Sequence, residues 1–196
     1  MDAAKLKLNR HDALIVVDVQ NDFLPGGALA VPDGDAVIPV LRRYIQCFLD
    51  ENLPAIATRD WHTPNHCSFT AQGGPWPAHC VAETTGATFA PELDLETHTM
   101  ILSKATEADK DAYSGFDQTG LDDELRRRDI SRIFVGGLAT DYCVLNTVLD
   151  GLMLGYKVCL LEDAIRAVDA KPGDGERAIS EMTEKGAIPV RLEQLA

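Results

Sequence analysis

Residues 13–19, ALIVVDV, contain no polar position before Asp18. A strand apolar on both faces has no side to show to water, so it belongs inside a parallel sheet covered by helices on both faces. A second such run, Ile133-Phe134-Val135, stops at Gly136-Gly137; after five more residues Cys143 opens an apolar-periodic segment that reaches Leu154. Strand, tight turn and helix follow one another there without a gap. Similar short runs at 54–58, 99–102, 157–161 and 188–190 predict further strands, and helical spacing appears at 37–49, 121–128 and 174–185. Strands alternating with helices predict an α/β chain, a three-layer α/β/α sandwich on a six-stranded, mainly parallel sheet of order 3-2-1-4-5-6. No repeat or linker divides the sequence, so residues 1–196 are expected to form one domain.

In such a sheet the ligand site lies beyond the carboxyl ends of the strands, where the strand order reverses. The residues that end the strands here are Asp18, Asp60 with His62, Lys104 and Cys143. A thiol at a helix start meets unpaired N–H groups and the positive end of the helix dipole, which predicts a depressed pKa and a nucleophile. With Asp18 to take its proton and pass it to a leaving amine, and Lys104 to favour both anions, the set suits attack on a carbonyl carbon. Backbone N–H groups near Ala139 and of Cys143 suit the developing oxyanion.

Asp60 and His62, two apart on an extended segment, point the same way and can share an ion, for which zinc, iron(II) or manganese are the fitting choices. His66, Ser68 and His79 follow in a long stretch, roughly 60–91, that lacks periodicity, and such stretches tend to be functional. For His66 a supporting hydrogen bond is expected rather than ligation. Cys80 reads as a packed position, and His11 and His98 as incidental. Phe23, Trp76 and Tyr113 lie in loops over the strand ends and can line an apolar slot for a flat ring.

The formal net charge of −13 argues against nucleic acid or an anionic membrane as partner. No apolar run approaches the length of a membrane span. Five scattered cysteines without a CxxC pair point to a reducing cytoplasm. No surface pattern fixes a subunit number, and a homo-oligomer stays open.

The segments VVDVQNDFLPGGALAV, TRDWHTPNHCSF, GGPWPAHCV, DAYSGF and GGLATDYCV, with Lys104 between them, resemble the nicotinamidase branch of the isochorismatase-like cysteine hydrolases. The resemblance implies an isochorismatase-like fold and an amidohydrolase that converts nicotinamide to nicotinate and ammonia through a thioester, with pyrazinamide also accepted. It implies a Cys143–Asp18–Lys104 triad, a cis peptide at Leu138–Ala139 that aims the Ala139 N–H into the oxyanion hole, and one divalent metal, zinc first among the candidates. The implied ligands are Asp60, His62 and His79, with Ser68 at a variable fourth position, direct or through water. Phe23, Trp76 and Tyr113 match positions that sandwich the pyridine ring, whose nitrogen approaches the metal. Two positions depart from the pattern. Cys67 replaces an aliphatic residue, and Glu83 replaces a glycine, which predicts a different bend there if that glycine has positive φ. The alternatives are another isochorismatase-like hydrolase, such as the metal-free isochorismate-cleaving branch, or a non-catalytic relative that binds a partner.

Overall fold

A computed structural model describes residues 5–95 and 99–195. His98 lies outside them. The sheet has six strands: β1 (Asp12–Val17), β2 (Ala55–Asp60), β3 (Met100–Lys104), β4 (Arg132–Leu138), β5 (Lys157–Arg166) and β6 (Ile188–Val190). Their order is β3-β2-β1-β4-β5-β6, as expected, and every pairing between them is parallel, which tightens "mainly parallel" to wholly parallel.

All six residues of β1 are buried. Alternation divides them between two cores. Leu14 and Val16 face helix α1 (Ile38–Asp50), packing with Leu41, Tyr44 and Phe48, while Ala13, Ile15 and Val17 join the core on the other face. That second core takes in α2 (Leu121–Arg127), α3 (Leu145–Met153) and α4 (Asp174–Glu184) through Leu121, Leu125, Val148 and Met182. Each large apolar side chain so buried contributes about 1.5–3 kcal/mol. Pro39 sits in the first turn of α1, where its missing N–H has no partner to lose. The acidic start and basic end of α2 complement the helix dipole.

β1 and β4 approach so closely that only glycine fits at position 137. Its φ is +128°, and a Cβ there would lie 2.1 Å from the Val17 carbonyl oxygen. At the opposite end of the same pair Asp12 faces Arg132 in register. The buried Asp12 carboxylate accepts Arg132 Nε at 2.7 Å and Nη2 at 2.5 Å, with the Asn9 N–H at 2.7 Å. Arg132→Met leaves that carboxylate buried with only Asn9 to serve it. The expected loss is about 3 kcal/mol of unfolding free energy, measured by urea denaturation.

Several boundaries differ from the sequence expectation. β5 runs on to Arg166, past the polar Glu162-Asp163, with a register shift against β4 between Val135 and Gly137. Ladder hydrogen bonds to β4 hold it extended where its composition alone signals a stop. Cys143 does not open an α-helix; it lies in a π-helical turn, Thr140–Val144, and α3 begins at Leu145. The stretch after β2 forms only short 3₁₀ turns, tied down by isolated bridges between His62 and Val81 and between Phe69 and Trp76.

Candidate active site

The carboxyl ends of β1, β2, β3 and β4 deliver Asp18, Asp60, Lys104 and Cys143 to one place. Lys104 is its centre, with a fully buried ammonium. Nζ lies 3.0 Å from Asp18 Oδ2 and donates to Ala112 O at 3.2 Å and to Cys143 Sγ at 3.5 Å. It also makes a short ion pair with Asp60. Thr58 donates its hydroxyl to Asp18 Oδ1 at 2.7 Å. One oxygen of each of Asp18 and Asp60 and the Cys143 sulfur lie within 4.8 Å of one another.

The charges follow from this crowding. Burial disfavours the Lys104 ammonium, but Asp18 and Asp60 outweigh it and hold the group well above its ordinary pKa. Asp60 is also buried, yet Lys104 and His62 keep its carboxyl well below the usual range. Burial, reinforced by Asp60, raises Asp18 despite Lys104. Cys143 contradicts the sequence expectation of a depressed pKa. Burial comes first, then Asp18 and Asp60, and together they push the thiol well above its ordinary value while Lys104 opposes them. The resting pair is therefore a neutral thiol beside a carboxylate of raised basicity, an arrangement suited to proton transfer as the sulfur attacks.

The second cluster adjoins the first through Asp60. One ligand-type atom from each of Asp60, His62 and His79 falls within 4.8 Å of the others. His62 Nδ1 is 3.2 Å from Ala105 O, and His79 Nδ1 is 2.8 Å from Pro77 O. Both rings thus donate from Nδ1 to carbonyls and turn an Nε2 lone pair inward. His62 Nε2 is buried without a hydrogen-bond partner, and burial lowers the His79 pKa, which favours the neutral ligand form. An orphaned nitrogen, a second imidazole and an ionised carboxylate together fit a divalent cation. His66 has no free nitrogen: Nε2 pairs with Lys110 O at 2.9 Å and Nδ1 with Ser68 Oγ at 2.8 Å. Its Nδ1 accepts the serine proton, so Ser68 keeps oxygen lone pairs to offer.

A narrow cleft of about 40 Å³ opens over Cys143. Phe23, Trp76, Tyr113 and Ala139 line it with Asp60 and His79. Trp76 Nε1 donates to Tyr113 Oη at 3.0 Å, tying two loops together above the sulfur. The Leu138–Ala139 peptide is cis. Sequence reading missed four wall residues, Leu29, Val31, Tyr142 and Val168. Tyr142 had a signal, since it is an aromatic beside the thiol; its ring meets that of Trp76 at 5.1 Å. It also missed Gln20, which donates to Asp60 O at 2.7 Å and accepts Asp60 N–H at 2.8 Å, fixing the end of β2. His11 stands apart, bonded to Asp129 O.

Four residues near the site adopt left-handed backbone conformations without being glycine: Asp18 (φ +49°), Cys80 (+45°), Glu83 (+66°) and Ala105 (+51°). Glu83, which stands where the family pattern has glycine, takes a positive φ itself and carries the strain of it. Glu83→Gly relieves that strain. The expected gain is about 1 kcal/mol, reduced somewhat by the looser unfolded chain, or about 2–4 °C in melting temperature.

Comparison with known proteins places this geometry in a class. The isochorismatase domain family matches residues 12–194. The chain is 41% identical over 196 residues to the nicotinamidase of Escherichia coli, covering 89% of this chain and 92% of that protein. Among solved structures it resembles the pyrazinamidase of Pyrococcus horikoshii in complex with zinc, with a TM-score of 0.89 at 50% identity over 93% of this chain and 99% of that one. It also resembles an L. infantum protein solved in complex with nicotinate, with a TM-score of 0.89, 33% identity and 98% of each chain covered. The chain belongs to the isochorismatase family.

Proposed function

We propose that this chain, as one hydrolase domain over residues 1–196, converts nicotinamide to nicotinate and ammonia through a thioester on Cys143. The observation that carries the reading is a thiol flanked by a basic carboxylate and a buried ammonium, at the floor of a ring-lined cleft. As Cys143 Sγ bonds to the amide carbon, its proton passes to Asp18, which hands it to the departing nitrogen. Asp18 then takes a proton from the water that attacks the thioester and returns it to Cys143 Sγ as the C–S bond breaks, and nicotinic acid leaves as nicotinate and a proton. Lys104 keeps positive charge beside both anions throughout. Ala139 and Cys143 supply the backbone N–H groups assigned to the oxyanion.

Asp60, His62 and His79 are the proposed metal ligands, with Ser68 as a fourth contact, and zinc is the proposed ion ahead of iron or manganese. When bound, such an ion supplies a Lewis-acid contact for a ring nitrogen and fixed charge beside the cleft. Phe23, Trp76 and Tyr113 are the proposed ring contacts. The relatives support this reading: one is a nicotinamidase, one a pyrazinamidase solved with zinc, one a protein solved with nicotinate. Among the described residues no helix is long and apolar enough to cross a membrane. The five cysteines are all free, which supports a cytoplasmic setting.

The test is ammonia release from nicotinamide and pyrazinamide by purified protein, together with its elemental analysis. Release from both amides, with a stoichiometric transition metal, supports the reading. Inactivity of the metal-loaded protein on both amides overturns it.

A further inference from the structure

We propose that Thr58 is a positioning residue that selects which oxygen of Asp18 carries the proton during catalysis. The inference rests on the amidase reading and concerns a residue to which that mechanism gives no part. The two oxygens of Asp18 have different surroundings. Oδ1 accepts the Thr58 hydroxyl at 2.7 Å. Oδ2 is buried and faces the rotatable Lys104 ammonium, 3.0 Å away. Only the Thr58 hydroxyl gives Asp18 a side-chain partner of fixed direction, and Asp18 is the group that must receive a proton from the neighbouring sulfur.

Lys104 cannot impose that choice. Its ammonium is a rotatable point charge shared among Asp18, Asp60, Ala112 O and Cys143. Thr58 can, because it is itself held on three sides. It stands opposite Val17 in the β1–β2 register, and its carbonyl accepts the Asp18 N–H at 3.2 Å. Its methyl faces Gly115, where a Cβ would lie only 2.9 Å from Thr58 Cγ2. Gly115 is fixed in turn by donating its N–H to Thr147 Oγ1 at 2.8 Å. With the methyl so placed, the hydroxyl points at Oδ1, and the plane of the carboxylate is set with Oδ2 toward the ammonium. A carboxylate free to turn would spread the proton over both oxygens and lengthen its path to the leaving nitrogen. Thr58 is absent from the cleft wall, so its influence falls on turnover and not on substrate binding.

The experiment compares Thr58→Val, which removes the hydroxyl and keeps the shape, with Thr58→Ser, which keeps the hydroxyl. In ammonia release from nicotinamide, Thr58→Val is expected to lower kcat about 10–100-fold. KM should stay within about twofold, and Thr58→Ser should retain at least about a third of kcat. A Thr58→Val protein with wild-type kcat overturns the proposal. So does a Thr58→Ser protein that loses as much as Thr58→Val, since methyl packing would then be what matters. A crystal structure of Thr58→Val gives a readout free of substrate: the Asp18 carboxylate is expected to be turned from its wild-type plane, and an unturned one overturns the proposal. Should the wild-type enzyme fail on nicotinamide, the amidase reading falls while the Asp18 orientation still decides the role of Thr58.

Discussion

Cys143→Ala is expected to lower kcat for nicotinamide by at least about 10⁴-fold, because the step it removes is the one that forms the covalent intermediate. The residual groups cannot substitute. Asp18 can still take a proton from a water, as in the second half of the reaction, but that water then meets the unreactive amide and not a thioester. Binding should survive, since the ring walls belong to other residues, and calorimetry should give a nicotinamide Kd within a few-fold of wild type. Ammonia release near the wild-type rate by the alanine protein would falsify the thioester route. The same pair sets the pH profile. Burial raises both the Asp18 carboxyl and the Cys143 thiol, so Asp18 gains its proton at a higher pH than an ordinary carboxylate would. The acid limb of kcat/KM should therefore lie above the usual carboxylate range, and activity should fall as pH drops through it. The limb reports the interacting pair and not either residue alone.

The second large effect concerns the metal. Removing it with a chelator should cost at least about 100-fold in kcat/KM, restored by adding back zinc, iron(II) or manganese. A change in stability should accompany this. Asp60, His62 and His79 are all buried, and His62 Nε2 has no protein partner. An ion held there at about 100 times its Kd stabilises the folded state by about 2.7 kcal/mol. Melting temperature should drop on chelation and recover on reloading. His62→Ala should melt at the same temperature with or without chelator. Unchanged activity and unchanged melting of the chelated wild-type protein would remove the ion from the proposed mechanism.

Much of this molecule was legible before any coordinates. Strands buried on both faces advertise themselves as unbroken apolar runs, and β1 and the start of β4 were read that way. Parallel topology then sends their carboxyl ends to one side, which is why Asp18, Asp60, Lys104 and Cys143 could be grouped from chain position alone. The misses have physical causes. Val168 was overlooked because β5 continues past Glu162 and Asp163, where composition signals an end but the ladder to β4 keeps the chain extended. Leu29 and Val31 stand in a Gly- and Pro-rich loop with no period to assign them a face. The Cys143 thiol was misjudged because helix-start reasoning counts the dipole and leaves out burial and two nearby carboxylates. Thr58 has no sequence signature, for its role depends on the neighbouring strand.

The π-helical turn that carries Cys143 also carries Asp141, whose two carboxylate oxygens accept the N–H groups of Val168 and Asp169, each at 2.9 Å. Val168 lines the cleft. Cys143 and the cleft wall are thereby clamped to the same turn, as the fixed jaw of a caliper is joined to its beam. The opposite jaw is Trp76 and Tyr113, whose loops are joined by the hydrogen bond between these two side chains, by Cys67 N–H donating to Ala108 O at 2.7 Å and by the His66 ring on Lys110 O at 2.9 Å. Both rings also pack on Tyr142 of the same turn, so ring amides of different girth should meet a gap braced on both sides and be sorted by fit.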